Sequence, residues 1–323
     1  MQFNNKFQIC IFFVLFSGAC LAQESDSTAF KPYGSPIIKV FANYHNLISS
    51  GDDFSGFEIR RAYLGYEYNL NENFYAVVMI DIGSPVDVSV FSRIRRSAYF
   101  KNAALRYTWK NLRVDAGLID MQHFILQEKF WGYRYIARSY NDRYKFGPKA
   151  DICVYVMYRF NDIVEVDFTL SNGEGYTRLQ RDYTIKGAFG CNVYPVKDLS
   201  IRLYFDLMEK SIYESTYSFF IGYKFKKIFR LAMEYNYKWN FNYVQDQDRY
   251  GISAYGTIHV FKKFEVFGRY DIVRSNIIEG DDVPWSLPAD GSSILAGVQY
   301  APIKRVKLSL NYQDWYSYAK DQG

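Results

Sequence analysis

Apolar and polar side chains alternate along most of this chain with a period of two residues. Over residues 163–171, for example, Val164, Val166, Phe168 and Leu170 share one face, while charged and hydroxyl residues dominate the other. Successive side chains of a β-strand point to opposite faces of a sheet, so the pattern predicts strands with one apolar and one polar face. No segment keeps the 3.6-residue period of a long amphipathic helix.

Fifteen segments show this alternation, and together they predict an all-β protein. They cover residues 36–46, 56–69, 73–82, 98–109, 112–119, 149–160, 163–171, 183–194, 199–208, 216–225, 228–239, 251–261, 264–273, 293–301 and 305–315. Charged residues such as Arg202 and Asp206 lie in the middle of the polar faces. Charges at these positions indicate that the polar face meets water and is not part of a dry core.

The connections between these segments alternate in length. The short ones cover residues 70–72, 110–111, 161–162, 195–198, 226–227, 262–263 and 302–304, and the long ones 47–55, 83–97, 120–148, 172–182, 209–215, 240–250 and 274–292. Short turns at one end and long loops at the other are typical of a transmembrane β-barrel. A soluble sandwich does not sort its loops in this way.

Aromatic residues end several of the apolar faces. Tyr107 and Trp109 end one row, Tyr237 and Trp239 end another, and Tyr66 and Tyr68 end a third. Amphipathic rings at strand ends form the interfacial girdles of a barrel in lipid. For a single tyrosine, ordinary sheet packing is the simpler explanation, but three rows that end alike favour a girdle.

The N-terminus has the features of a secretory signal peptide over residues 1–22. Lys6 precedes an apolar run from Ile9 to Phe16, and small residues end at Ala22. A transmembrane helix is disfavoured because Ser17 and Gly18 cut the run short of the roughly 20 residues that a span needs. Lipoprotein cleavage before Cys20 is the other alternative. Export leaves residues 23–323 as the barrel domain.

The number of connections predicts sixteen strands with the last one absent from this sequence. Bacterial single-chain barrels have even strand numbers, and the fifteen segments are one short. The final residues 319–323 have the composition of a loop. We therefore expect a C-terminal truncation of roughly 10–20 residues. The alternative is a barrel of fourteen strands in which one of the fifteen segments is not a strand.

The composition excludes several other classes of protein. The chain carries 39 basic and 34 acidic residues, a formal charge of +5, and the two signs alternate, so nucleic acid is not an expected partner. Three histidines and four cysteines do not suggest a His/Cys metal cluster, and no cofactor is implied. Cys153 and Cys191 fall on different predicted strands with opposite orientations, so a disulfide between them is not expected.

Several stretches of the barrel resemble the phosphate-selective porin family, porins O and P. They are GFEIRRAYLGY at 56–66, KNAALRY at 101–107, VDAGL at 114–118, EKFWGYRY at 128–135 and AD at 150–151. The resemblance implies a sixteen-stranded outer-membrane barrel, usually a homotrimer, that passes small solutes and in some members favours phosphate. Tyr63 departs from the family, whose members often have another basic residue at this position.

The candidate selectivity residues lie in two long loops. In general porins a long third loop folds inward and narrows the channel, and we expect the same of residues 120–148. The proposed anion-attracting residues are Lys129, Arg134, Arg138 and Arg143 of this loop and Arg93, Arg95 and Arg96 of the second loop. Guanidinium groups match the oxygens of phosphate and carboxylate, and a cationic constriction concentrates anions.

A second set of candidates lies on the polar faces of the strands. Strand parity places Arg61, Arg106, Arg202, Arg230 and Arg269 on the wall of the lumen. Acidic residues on the same faces nearly balance them. The wall charges therefore either pair across strands, which is a structural role, or contribute to selectivity.

Two other functional classes remain open. A barrel hydrolase is weakly supported, because His45, His123 and His259 have no nucleophile at the spacing of a known motif. A plugged barrel that acts as an adhesin or structural protein requires a lumen filled by its own side chains. The favoured prediction is a non-enzymatic diffusion channel, in which the aromatic residues of the third loop pack against the wall.

Overall fold

The computed structural model of the chain describes residues 30–47, 54–83, 98–180, 182–226 and 228–320. All of the strands belong to one compact unit, Pro32–Gly323. The predicted signal peptide, residues 1–22, and the candidates Arg93, Arg95 and Arg96 lie outside the described residues.

Fifteen strands form the protein, each within a few residues of its predicted position. They are β1 Tyr33–Leu47, β2 Phe54–Asn69, β3 Phe74–Gly83, β4 Ala98–Trp109, β5 Leu112–Asp120, β6 Ala150–Arg159, β7 Val164–Ser171, β8 Lys186–Val193, β9 Leu199–Glu209, β10 Tyr213–Phe225, β11 Phe229–Trp239, β12 Arg249–Phe261, β13 Phe264–Ser275, β14 Gly291–Ile303 and β15 Val306–Ser317. Two short helices, α1 Ile125–Trp131 and α2 Tyr140–Arg143, lie between β5 and β6. Three 3₁₀ turns cover Phe241–Tyr243, Leu287–Ala289 and Tyr318–Lys320.

The strands form one antiparallel sheet in which each strand pairs with its neighbours in sequence. The order runs from β1 to β15 without a crossover, which confirms the predicted all-β, up-and-down architecture of the barrel class. Within the described residues β1 and β15 are the two outer strands of the sheet. The expected sixteenth strand stays a prediction.

One predicted long loop is a tight turn. The alternating pattern predicts a long connection at 209–215, but only residues 210–212 lie between β9 and β10, because Tyr213 pairs with Glu209 and Glu214 with Met208. The charged residue Glu214 looked like part of a loop. It continues the strand because it faces inward, where its carboxylate accepts a hydrogen bond from Lys238 at 3.0 Å.

The apolar faces of the strands point outward and are exposed. On β1 and β2 the outward side chains include Ile38 and Phe57, which are 68% and 90% exposed. Rings from adjacent strands contact each other at both rims, with centroids 4.7 Å apart for Phe264 and Tyr300 at the short turns and 5.5 Å apart for Tyr237 and Tyr250 at the long loops. An apolar band between two aromatic rims is the surface that a barrel presents to lipid. No helix in the described part of the chain is long and apolar enough to cross a membrane.

Two β-bulges reverse the inward and outward alternation. In β2 the register shifts so that Phe41 faces Arg61 and Ala42 faces Ile59, which leaves Arg60 as the extra residue. In β4 Lys101 is the extra residue in the same way. A bulge puts two consecutive residues opposite one partner residue and re-aims their side chains. Arg60 thereby joins Arg61 on the inner side, where both line the same cavity.

Candidate channel constriction

The third long loop, residues 121–149, folds back into the barrel and packs on the inner wall, as the sequence predicted. Its side chains reach strands far away in sequence: the Tyr133 hydroxyl donates to Glu265 at 2.6 Å and the Tyr135 hydroxyl donates to Gln299 at 2.8 Å. The Tyr140 hydroxyl donates to the carbonyl oxygen of Ile272 at 2.7 Å. Strands β13 and β14 therefore support the loop, and it occupies that side of the lumen.

Aromatic residues of α1 form the packed base of this loop. Phe130 meets Phe220 of β10 with ring centroids 5.1 Å apart, and Trp131 meets Tyr255 of β12 at 5.7 Å. Phe130, Trp131 and Phe220 are 2% exposed or less. These contacts confirm that the loop aromatics pack against the wall. Edge-to-face ring pairs of this kind fix orientation as well as burying apolar area.

Gly132 ends α1 in a left-handed conformation beside the Arg230 guanidinium. Its φ of 75° is left-handed, which favours glycine, and its amide donates to the carbonyl oxygen of Glu128. A Cβ at this position would lie 2.6 Å from Nη2 of Arg230. The helix therefore ends where the Arg230 guanidinium needs room, and that group donates to the carbonyl oxygen of Trp131 at 3.3 Å.

A buried polar layer lies between the loop and the wall. The ring of His123 stacks on Tyr204 with centroids 4.0 Å apart, and the Asn141 amide donates to Glu234 at 2.5 Å. Burial, with Arg202, Lys186 and Lys238 nearby, holds the pKa of the His123 imidazole well below its ordinary value. His123 is therefore a neutral packing group, and a catalytic role for it has no support here.

A cavity beside the loop, which we call the passage, lies between the tip of the loop and strands β1, β2 and β15. It has a volume of ≈ 410 Å³. From the loop it is lined by Arg134, Tyr135, Ile136, Ala137, Arg138 and Arg143, and from the strands by Phe41, Glu58, Arg60, Arg61 and Gln313. Five arginines and one glutamate thus line one space, so basic residues outnumber acidic ones in the lining.

Three of the four predicted loop residues lie at this passage. Arg134 is held by Asp142 at 3.1 Å and Glu128 at 3.5 Å, and Arg143 lies 3.9 Å from Asp271. Arg138 has an exposed side chain, and within the described residues it makes no ion pair. Of the three loop arginines that line the passage, Arg138 is therefore the one most available to a passing solute.

Lys129, the fourth predicted loop residue, lies apart from the passage lining. It is near Lys224 and Arg230 at the end of the barrel that carries the short turns. Lys224 and Arg230 face each other directly across β10 and β11, and the Lys224 ammonium lies 4.4 Å from the centroid of the Phe130 ring. Like charges directly opposite in a ladder are unfavourable unless something compensates them. Lys129, Lys224 and Arg230 thus form a second cationic cluster, which we call the lower cluster.

Most of the predicted wall arginines are paired with carboxylates. Arg106 binds its cross-strand partner Asp115 at 2.8 and 3.0 Å, and Arg61 lies 3.3 Å from Asp81. Arg202 binds Asp167 and Arg269 binds Asp271, each through two hydrogen bonds. Arg230 donates to the Thr257 hydroxyl at 3.1 Å. The geometry favours the structural role for these wall charges.

Sequence reasoning missed Arg60 and Lys101, since strict alternation assigns each to the wrong face. Lys101 is 3% exposed and binds Asp120 at 2.5 Å, so it is structural. For Arg60 a signal was present in the sequence: apolar residues occupy odd positions at Phe57 and Ile59 and even positions at Leu64 and Tyr66. That change of parity marks the bulge.

Cys153, Cys191 and His259 lie outside the lining of the passage. Cys153 is buried and Cys191 is partly exposed, and both are free, as predicted. His259 lies 3.2 Å from Glu265 near a short turn. In the described part of the chain, no group of three or more histidine, cysteine, aspartate or glutamate residues could hold a metal ion.

Solved structures with a similar fold include outer-membrane proteins. The outer membrane channel DcaP of Acinetobacter baumannii matches with a TM-score of 0.62 at 12% identity, covering 93% of this chain and 95% of that one. This protein has the fold of an outer-membrane β-barrel. Salmonella typhi OmpF matches with a TM-score of 0.62 at 11% identity, covering 88% of this chain and 89% of that one. OmpT with loop L8 deleted, an outer membrane protein of Vibrio cholerae, matches at 0.58 and 14% identity, covering 88% and 94%.

These identities show a shared fold and no closer relationship. No family model matches the chain, and no curated protein matches it significantly. The fold and the lipid-facing band place this protein among the β-barrels of the outer membrane.

Proposed function

We propose that this protein is an outer-membrane porin through which small hydrophilic solutes diffuse passively, with a preference for anions such as phosphate. The observation that carries the proposal is the passage beside the third loop, where five arginines and one glutamate face a cavity of ≈ 410 Å³. Rings of one charge sign set ion selectivity in pores. A cationic, water-accessible constriction raises the local concentration of anions without holding them tightly.

The lower cluster supports the same direction of selectivity. Its members Lys224 and Lys129 are exposed, and neither lines the passage. An anion that leaves the passage would meet a second cationic surface before it reaches the end of the barrel. Two cationic surfaces in series favour anion flux because neither has to bind tightly.

A homotrimer is part of the proposal. It is supported by the resemblance to trimeric porins and by a structure of Vibrio cholerae OmpT described as a trimer form, which covers 90% of this chain. Cross-linking of the protein in its native membrane, followed by electrophoresis, tests the trimer separately from conduction.

Single-channel conductance in a planar bilayer tests the channel function. The protein should give stable open steps in KCl, and added inorganic phosphate should lower the chloride current by competing at the arginines. Stable steps that phosphate leaves unchanged would support a general porin and contradict the proposed preference for phosphate. A folded barrel without conductance would contradict the porin function and favour a plugged barrel.

A further inference from the structure

The cavity beside the third loop combines a cationic surface with an apolar surface. Arg60 and Arg138 contribute to the cationic surface. The apolar surface is formed by Phe41, Ile136 and Ala137. Phe41 is held in place by an edge-to-face contact with Tyr63, with ring centroids 5.6 Å apart and an angle of 79°. A solute in this space therefore meets charge and apolar surface at the same time.

The size of the cavity suits a small organic molecule. At about 30 Å³ per water molecule, ≈ 410 Å³ corresponds to roughly fourteen waters. Small-molecule sites in proteins typically range from about 300 to 1,000 Å³. A bare inorganic oxyanion fills a minor part of this volume and has no apolar body to place against the apolar surface.

The distribution of charge favours a single negative charge on the solute. Four of the five arginines already have a carboxylate within 4 Å, since Arg60 lies 3.7 Å from Glu58 and the other three are paired with Asp81, Asp142 and Asp271. Arg138 is the arginine of this cavity without such a partner among the described residues. One available guanidinium matches one carboxylate, and guanidinium binds carboxylate through paired hydrogen bonds.

We propose that this cavity is a transit site for singly charged organic anions with a small apolar body, the class of aromatic and short aliphatic carboxylates. The carboxylate contacts Arg138, and the apolar body lies against Phe41 and Ala137. This inference rests on the proposed porin function and narrows its solute class. It differs from a phosphate preference because the apolar surface contributes to binding.

Current block in planar bilayers tests this inference with three probes of equal charge. Acetate, butyrate and benzoate are added to the KCl solution at pH 7, and inorganic phosphate is measured alongside. We expect the half-blocking concentration to fall from acetate to benzoate by about tenfold, the order expected from one aromatic contact. Equal block by acetate and benzoate, or stronger block by phosphate than by benzoate, would overturn the proposal.

Two variants assign the block to the cavity. Phe41→Ala should raise the half-blocking concentration of benzoate toward that of acetate and leave the half-blocking concentration of acetate nearly unchanged. The matched control is Phe57→Ala, which removes the same ring from the lipid-facing side of β2, where it is 90% exposed. Benzoate block that survives Phe41→Ala would contradict the site.

The outcomes separate this inference from the proposed function. Absence of conductance, or cation selectivity, contradicts the anion-preferring porin itself. An anion-selective channel that is blocked by phosphate and insensitive to benzoate keeps the porin function and removes the organic-anion site alone.

Discussion

The guanidinium of Arg202 holds the carboxylate of Asp167 across an intervening strand. Nη1 of Arg202 lies 2.7 Å from Oδ2, Nη2 lies 3.0 Å from Oδ1, and both side chains are buried. The residue between them is Gly190 of β8, the cross-strand partner of Asp167. A Cβ at Gly190 would fall on both charged groups. The Arg202–Asp167 pair thus links β7 and β9 across β8, which is a structural role.

Gly190→Ala should destabilise the barrel by separating this buried pair. We expect a loss of about 3 kcal/mol in the free energy of unfolding, the order seen when a buried ion pair is broken. The control is Gly187→Ala on the same strand, where an added Cβ would meet nothing within 4 Å. Urea unfolding in detergent micelles, followed by tryptophan fluorescence, measures both variants. Equal stability of the two would show that the pair is not constrained by Gly190.

Arg138→Glu should lower the anion/cation permeability ratio. The substitution changes the charge in the passage by two units, at the cavity arginine that makes no ion pair with a described residue. We therefore expect the ratio to decrease by about threefold, which corresponds to less than 1 kcal/mol per ion. Adding Arg134→Glu should lower the ratio further. The control is Lys145→Glu, which makes the same charge change on the same loop away from the cavity lining. An unchanged permeability ratio in the double variant would show that the third loop does not set the ion selectivity.

Asn141→Asp should loosen the third loop. Asn141 is 0% exposed and Glu234 is 1% exposed, so the variant places two carboxylates together in a buried site, which is unfavourable for the packed loop. We expect a larger and noisier single-channel conductance. Asn311→Asp supplies the matched control, because it adds the same charge on the inner face of β15 at a distance from this contact. Conductance as quiet as that of the unaltered protein would mean that the Asn141 contact does not hold the loop.

Lys224→Glu should change stability and selectivity in opposite directions. The new carboxylate would face Arg230 directly across the ladder, so a repulsive pair becomes an attractive one and stability should rise by about 0.5 kcal/mol. The anion/cation permeability ratio should fall, because the lower cluster loses two units of charge. Lys262→Glu in a short turn outside the cluster controls for net charge. A ratio that stays constant would exclude the lower cluster from conduction.

Much of the fold could be predicted because the period-two pattern is a local property. All fifteen strands follow from it, and the inward fold of the third loop follows from its length and position. The bulges at Arg60 and Lys101 break the local rule, so simple alternation assigned them wrongly. The turn after Glu209 was missed because the inward-facing Glu214 resembles a loop residue in sequence.

The candidate site was harder to predict because it depends on which charges meet in space. Sequence parity placed Arg202 and Arg269 on the inner face correctly, but it could not show that each one binds a carboxylate. In the same way, nothing in the sequence separates Lys129 from Arg138, although the structure places them at different cationic surfaces. Pairing and position are tertiary properties, and they decide which arginines remain available to a solute.

The reversal potential of the unaltered protein under a tenfold KCl gradient tests the central claim most directly. If five arginines and one glutamate line an open passage, chloride should carry most of the current and the reversal potential should lie on the chloride side of zero. A reversal potential near zero would indicate an unselective pore whose charges all pair. A value on the potassium side, or a folded barrel that carries no current, would contradict the account.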